Sequence, residues 1–361
     1  MNRAEIEQRT ILIALTGSRG YQLQTDSSDY DHRGIFIATQ PYYYGLSKIE
    51  QKDRDWELDG GRFPYLAKDT CIFELRKFLE LSADNNPNIL ELLWYKDYTH
   101  LTDVGKELVK HRQMFLSKKV RKTYAGYGYA QIKKLESHRR WLLNPPNAKP
   151  QAQDFGIEPT QLMAKMEVNA FLEYLYLLIR DRIQFLEESE ELGKLLSAEI
   201  DFKGVLRQYA IPDAALVYTQ QITHSSTDFI RLLQKNQQYL NAVREYENYQ
   251  QWKQNRNPAR ALMEAKVGYD CKFAMQAIRL LRTGVEILAD RQIQIDRREA
   301  GDAEELLAIK RGDYTYEQVM SIADRLYQGL ESTHARSQLP DDVDREAVNF
   351  LCVELVARQG W

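Results

Sequence analysis

TGSRGYQLQTDSSDYDHRGI, residues Thr16 to Ile35, joins two apolar runs and governs how the rest of the chain is read. The run before it, Ile11 to Leu15, has the length and composition of a short buried strand, which Gly17-Ser18 interrupts. Ser18 can cap a following helical turn. Such a turn points backbone N–H groups and a hydroxyl at one place, a setting suited to triphosphate oxygens. Asp29 and Asp31 fall on or beside a second predicted strand, Tyr30 to Thr39. Period-two alternation puts both carboxylates and Arg33 on one face and His32 on the other. Two neighbouring carboxylates repel unless a cation joins them. Oxygen-only donors suit Mg²⁺, and a pair of such ions can activate a hydroxyl and steady a leaving pyrophosphate.

A chain of 361 residues is long enough for two domains. Its three cysteines, Cys71, Cys271 and Cys352, show no metal-ligand or disulfide spacing, and the N-terminal apolar run is too short for a signal or a membrane span. A cytoplasmic protein without a membrane partner is expected. The net charge of −3 conceals an asymmetry, because residues 106–149 hold twelve Lys and Arg against two acids. That concentration, with aromatic residues among the charges, points to a polyanion. Lys118, Lys119, Arg121, Lys122, Lys133, Lys134, Arg139 and Arg140 are the candidate nucleic-acid contacts, with Tyr124, Tyr127, Tyr129 and Trp141 as rings for stacking. The competing reading is a surface helix whose tyrosines pack inward.

Residues 1 to about 75 read as α/β, with a further strand from Asp69 to Phe73 and a helix from Glu74 that Asn85-Asn86-Pro87 ends. A short helix opens at Asn88. From about Gly105 helical periodicity takes over, with helices expected at Leu116–Leu143, Thr160–Leu192, Ser226–Arg256, Ala261–Asp290 and Tyr316–Leu330. The division is a core at 1–104 and a helical domain at 105–361 that includes the basic segment. Lys272, Gln276 and Arg279 share one helix face by their spacings of four and three.

The Gly17-Ser18 turn followed by Asp29-Tyr30-Asp31 resembles the signature of the DNA polymerase beta nucleotidyltransferase superfamily. DTCIFELRKFLELSADNNPNILELL (69–93), YDCKFAMQAIRLLRTGVEIL (269–288) and EELLAIKRG (304–312) are similar to its RNA-repair-associated, RlaP-like branch. That branch commonly carries a histidine where Gln276 stands. The resemblance implies an α+β fold: a minimal nucleotidyltransferase core, a mixed sheet with flanking helices, followed by a mainly α-helical domain. It implies Mg²⁺, two ions with Mn²⁺ as a substitute, and transfer of a nucleoside monophosphate from an NTP such as ATP. Gly17, Ser18 and Arg19 are the expected triphosphate ligands, with Lys272 and Arg279 reaching the tail. Asp29, Asp31 and Asp69 are the expected catalytic metal ligands. Glu74 competes with Asp69 for the third place, but its position before Leu75 and Phe78 reads as a helix-start acid. RNA, a tRNA end included, is the favoured acceptor. AMP transfer to a protein or small molecule, and a non-catalytic RNA-binding protein on the same fold, are the alternatives.

Overall fold

Ile11, Leu12, Ile13 and Ala14 are all fully buried, so β1 (Thr10–Leu15) is covered on both faces, which is why it reads as an unbroken apolar run. The computed structural model describes residues 1–26, 28–53, 61–66, 70–186 and 224–360. These form two units, residues 1–143 with 259–361, and residues 144–258.

In the first unit β1 belongs to a five-stranded mixed sheet with β2 (His32–Phe36), β3 (Gln51–Lys52), β4 (Cys71–Glu74) and β5 (Tyr98–Leu101), in the order β3-β4-β2-β1-β5. β2 runs antiparallel to β1, with Leu15 opposite His32, and parallel to β4, with Arg33 opposite Cys71. The expected α+β class, a mixed sheet followed by a mainly helical region, is therefore present. β5 was not foreseen. Tyr98-Thr99-His100-Leu101 is half exposed at the sheet edge and carries no apolar alternation, so only its pairing with β1 defines it.

One sheet face packs Leu12, Ile35 and Phe73 under the helix Leu75–Ala83, whose buried face is Leu75, Phe78, Leu79, Ser82 and Ala83. Glu74 is buried and caps that helix, accepting from the Arg76 amide at 2.9 Å and from the Tyr43 hydroxyl at 2.6 Å. It thus takes the helix-start role expected of it. The other face packs Ile13, Phe36 and Ile72 against Ile6, Phe63 and Leu66.

Helices of the same unit enclose a second core, in which Cys271–Asp290 packs among Val120–Leu143, Ala303–Arg311 and Tyr316–Arg336. The expected helix Ala261–Asp290 is in fact two. Gly268, at φ +85°, ends Pro258–Val267, and Asp270 starts Cys271–Asp290 by accepting from the Lys272 and Phe273 amides. At Gly284 a Cβ would lie 2.9 Å from Leu330 Cδ1 and 3.0 Å from Tyr124 Cβ. Gly284→Val should therefore destabilise by about 1–3 kcal/mol through overpacking, read as a lower urea midpoint.

In the second unit Lys165–Leu186 lies against Thr227–Gln254. Asn236 is fully buried there, donating to the Gln161 and Leu232 carbonyls and accepting from the Met163 amide. The expected helix from Thr160 begins at Lys165, and its end at Leu192 lies outside the described residues. Among the described residues no helix is long and apolar enough to cross a membrane.

Candidate active site

β1 ends at Leu15, and Thr16 and Gly17 turn the chain into a four-residue helix, Gly17–Gly20. The turn is held to the start of β2. The Thr16 amide and hydroxyl both donate to the Asp31 carbonyl, at 2.7 and 3.2 Å. Gly17 has φ +62°, and a Cβ there would stand 2.1 Å from Asp31 Oδ2. Only glycine lets the carboxylate sit against the turn, so the Gly-Ser motif and Asp31 form one construction.

Asp29 and Asp31 lie in the segment entering β2, since the strand begins at His32. Asp31 is half-buried and lines a cavity of about 290 Å³, whereas Asp29 is exposed and does not line it. Arg33 lines the same cavity, as the strand parity predicts. His32 is buried and faces the other way, its ring 5.1 Å from that of Tyr65. Burial holds the His32 imidazole below its ordinary range, against the pull of Asp31. Asp69 lies outside the described residues. Among the described residues no group of three or more His, Cys, Asp and Glu is placed to hold a metal.

Arg19 stands beside the turn but is occupied: Nη2 and Nε donate to the Ser28 carbonyl at 2.9 and 3.2 Å, and the guanidinium lies 3.8 Å over the Tyr30 ring. It fastens the loop that carries Asp29. Lys272 is exposed and outside the cavity lining, near Lys310, whose ammonium is held low by burial and by Lys272 and donates to the Leu23 carbonyl at 2.8 Å. Gln276 and Arg279, one and two turns along the same helix, do line the cavity.

Arg279 meets a partner the sequence reading missed. Its Nη1 lies 3.0 and 3.2 Å from the two carboxylate oxygens of Glu91, and the Tyr21 hydroxyl donates to Glu91 as well. The guanidinium also stacks 3.8 Å over the Tyr21 ring. Burial works against the Arg279 charge, but Glu91 and Tyr21 outweigh it and hold its pKa above the usual guanidinium value. Burial, joined by Glu91, pushes the Tyr21 phenol upward despite Arg279, so it remains a neutral donor. The available signal was Glu91 itself, a lone acid inside Ile89-Leu90-Glu91-Leu92-Leu93-Trp94.

The basic segment meets the C-terminal region. Lys118 pairs with Asp341 at 3.0 Å, Lys119 with Asp342 at 2.6 Å, Arg121 with Glu331 at 2.8 Å and Arg139 with Glu317 at 3.6 Å. Lys133 pairs locally with Glu136, and Lys134 lies over the Phe273 ring. Lys122 and Arg140 are exposed. Tyr124 and Trp141 are buried, so neither ring is open to a base. Tyr127 is half-buried, its hydroxyl accepting from Asn86 at 2.9 Å, and lines a groove with Lys119 and Lys122, while Tyr129 is 52% exposed.

Residues 1–145 match the model of RlaP, described as the RNA repair pathway DNA polymerase beta family. Over that N-terminal part, 145 of 361 residues, the chain is similar to the RlaP family. The match covers β1 to β5, the Gly-Ser turn, Asp31, Glu91 and most of the basic segment; the helix carrying Arg279 lies beyond it. No curated protein and no solved structure matches the chain. The matched family is one of polymerase beta-type nucleotidyltransferases, which supports a general reading of the chain as an enzyme.

Proposed function

We propose that the chain transfers a nucleoside monophosphate from an NTP to an acceptor hydroxyl, with RNA as the acceptor. The observation that carries this reading is the Asp31 carboxylate locked against the Gly17 turn at the edge of a cavity that two arginines line. The acceptor oxygen bonds to the α-phosphorus, the α–β P–O bond breaks, and pyrophosphate leaves with the electron pair.

Asp29 and Asp31 offer oxygen donors alone, a set that fits Mg²⁺ or its substitute Mn²⁺. Asp69 is the proposed third ligand, from its place in the sequence at the start of Asp69-Thr70-Cys71-Ile72-Phe73. When bound, two Mg²⁺ ions would neutralise phosphate charge and ease deprotonation of the hydroxyl. The chain's own groups do the rest. The Gly17 backbone and Ser18 receive the triphosphate, Lys272 is open to its tail, and Arg19 keeps the Asp29 loop in place through Ser28 and Tyr30. Asp69 is the proposed base for the hydroxyl proton.

RNA is favoured by the basic segment even though many of its charges are paired. Exposed pairs such as Arg121 with Glu331 contribute only about 0–1 kcal/mol, so a polyanion can displace the acids at little cost. RNA binding should weaken steeply with salt, its log–log slope near the number of phosphates neutralised; a flat salt response in filter binding would remove this support.

The test of the reaction is incubation with each α-labelled NTP, Mg²⁺ and total RNA. Label entering RNA, and lost in an Asp29→Ala/Asp31→Ala variant, is the expected result. Label on protein or a small molecule instead would favour the AMP-transfer alternative, and RNA binding without any label would favour the non-catalytic one.

A further inference from the structure

The cavity beside Asp31 contains two guanidinium groups with different engagements. Arg279 is 7% exposed and committed to Glu91 and Tyr21. Its charge is already matched, in a setting where an unmatched charge would be costly.

Arg33 differs in each respect. It is half-buried on β2, on the strand face that Asp31 occupies two residues earlier, and the same cavity takes both side chains. Its Nη1 donates to the Asn88 carbonyl at 3.0 Å, which sets the direction of the guanidinium. Among the described residues no carboxylate forms an ion pair with it. A guanidinium has five N–H donors in a fixed fork, so most of this group's capacity is still to be used. Its charge is felt at the cavity wall, since it eases the ionisation of Tyr21 and Tyr95 against the effect of burial.

An orienting carbonyl on one donor and an unmatched guanidinium charge in a concave polar site together describe an anion receptor. We propose that Arg33 is the anion-binding residue of this cavity and takes one phosphoryl group of the substrate, while Arg279 serves as framework. Two sources share that chemistry, the phosphates of the NTP and the phosphodiester of the acceptor. The identity of the source rests on the transfer reading; the binding of a phosphoryl group does not.

Calorimetric titration of the full chain with inorganic pyrophosphate, α,β-methylene-ATP and a short oligoadenylate tests this directly, using wild type, Arg33→Gln and Arg33→Lys. Arg33→Gln should weaken at least one probe by about 10- to 100-fold, the value of a hydrogen bond to a charged group. Arg33→Lys should recover only part, because the ammonium keeps the charge and loses the fork. Weakening of the ATP analogue and pyrophosphate assigns Arg33 to the NTP, and weakening of the oligoadenylate assigns it to the acceptor. Equal binding by wild type and a folded Arg33→Gln, or no binding of any probe by wild type, overturns the proposal. Should Arg33→Gln not fold, wild-type affinity in Arg33→Lys has the same force. The two readings fail separately: Asp31-dependent labelling that ignores Arg33 sinks this inference alone, and Arg33-dependent phosphate binding without labelling sinks only the transfer reading.

Discussion

Glu91→Ala is expected to destabilise the unit of residues 1–143 and 259–361 by about 3–5 kcal/mol, because it leaves the Arg279 guanidinium buried without its counter-charge. The two side chains are 3% and 8% exposed, so solvent screens the pair little. The Tyr21 hydroxyl loses its acceptor in the same variant. Urea denaturation followed by circular dichroism measures the effect. The double variant Glu91→Leu/Arg279→Met should recover much of the loss, since it removes both charges and keeps apolar volume. A Glu91→Ala protein as stable as wild type would show that the pair is not what ties the Cys271–Asp290 helix to the sheet side of the cavity.

The second large effect concerns activity. Asp31→Asn should lower nucleotidyl transfer by about a thousandfold or more while leaving the urea midpoint nearly unchanged, as loss of charge stabilisation at a reacting phosphate does. Gly17→Ala reaches the same carboxylate from the other side. Its Cβ would stand 2.1 Å from Asp31 Oδ2, and φ +62° is unfavourable for alanine. The substitution should cost about 1–3 kcal/mol of stability and, by displacing Asp31, most of the activity. Full transfer activity in both variants would remove the turn and its carboxylate from the reaction. Asp29→Asn is the informative third member, because Asp29 is exposed and off the cavity wall. A loss like that of Asp31→Asn would make it a ligand that joins the site with substrate present.

Much of the sheet was legible because strands announce their faces locally. The β1 run, the parity that sets Arg33 with Asp31 and His32 opposite, and the helix-start role of Glu74 all follow from a few adjacent residues. β5 was not legible, since a half-exposed edge strand needs no apolar alternation and exists only through its bonds to β1. The break at Gly268 was missed for a different reason: one glycine within a continuing helical period looks tolerable until its φ is known.

By itself the sequence determined the α+β class, the Gly-Ser turn before Asp31 and the faces of the strands and helices, because those depend on spacing along the chain. Tertiary structure alone decided which charges are already spent. Glu91 and Arg279 are 188 residues apart, and Arg121 and Glu331 are 210 apart, distances over which no local pattern records a partner. Whether a cation faces a carboxylate or an open cavity depends on where the chain returns. That return commits Arg279 to the framework and leaves Arg33 beside Asp31 with its charge unmatched among the described residues.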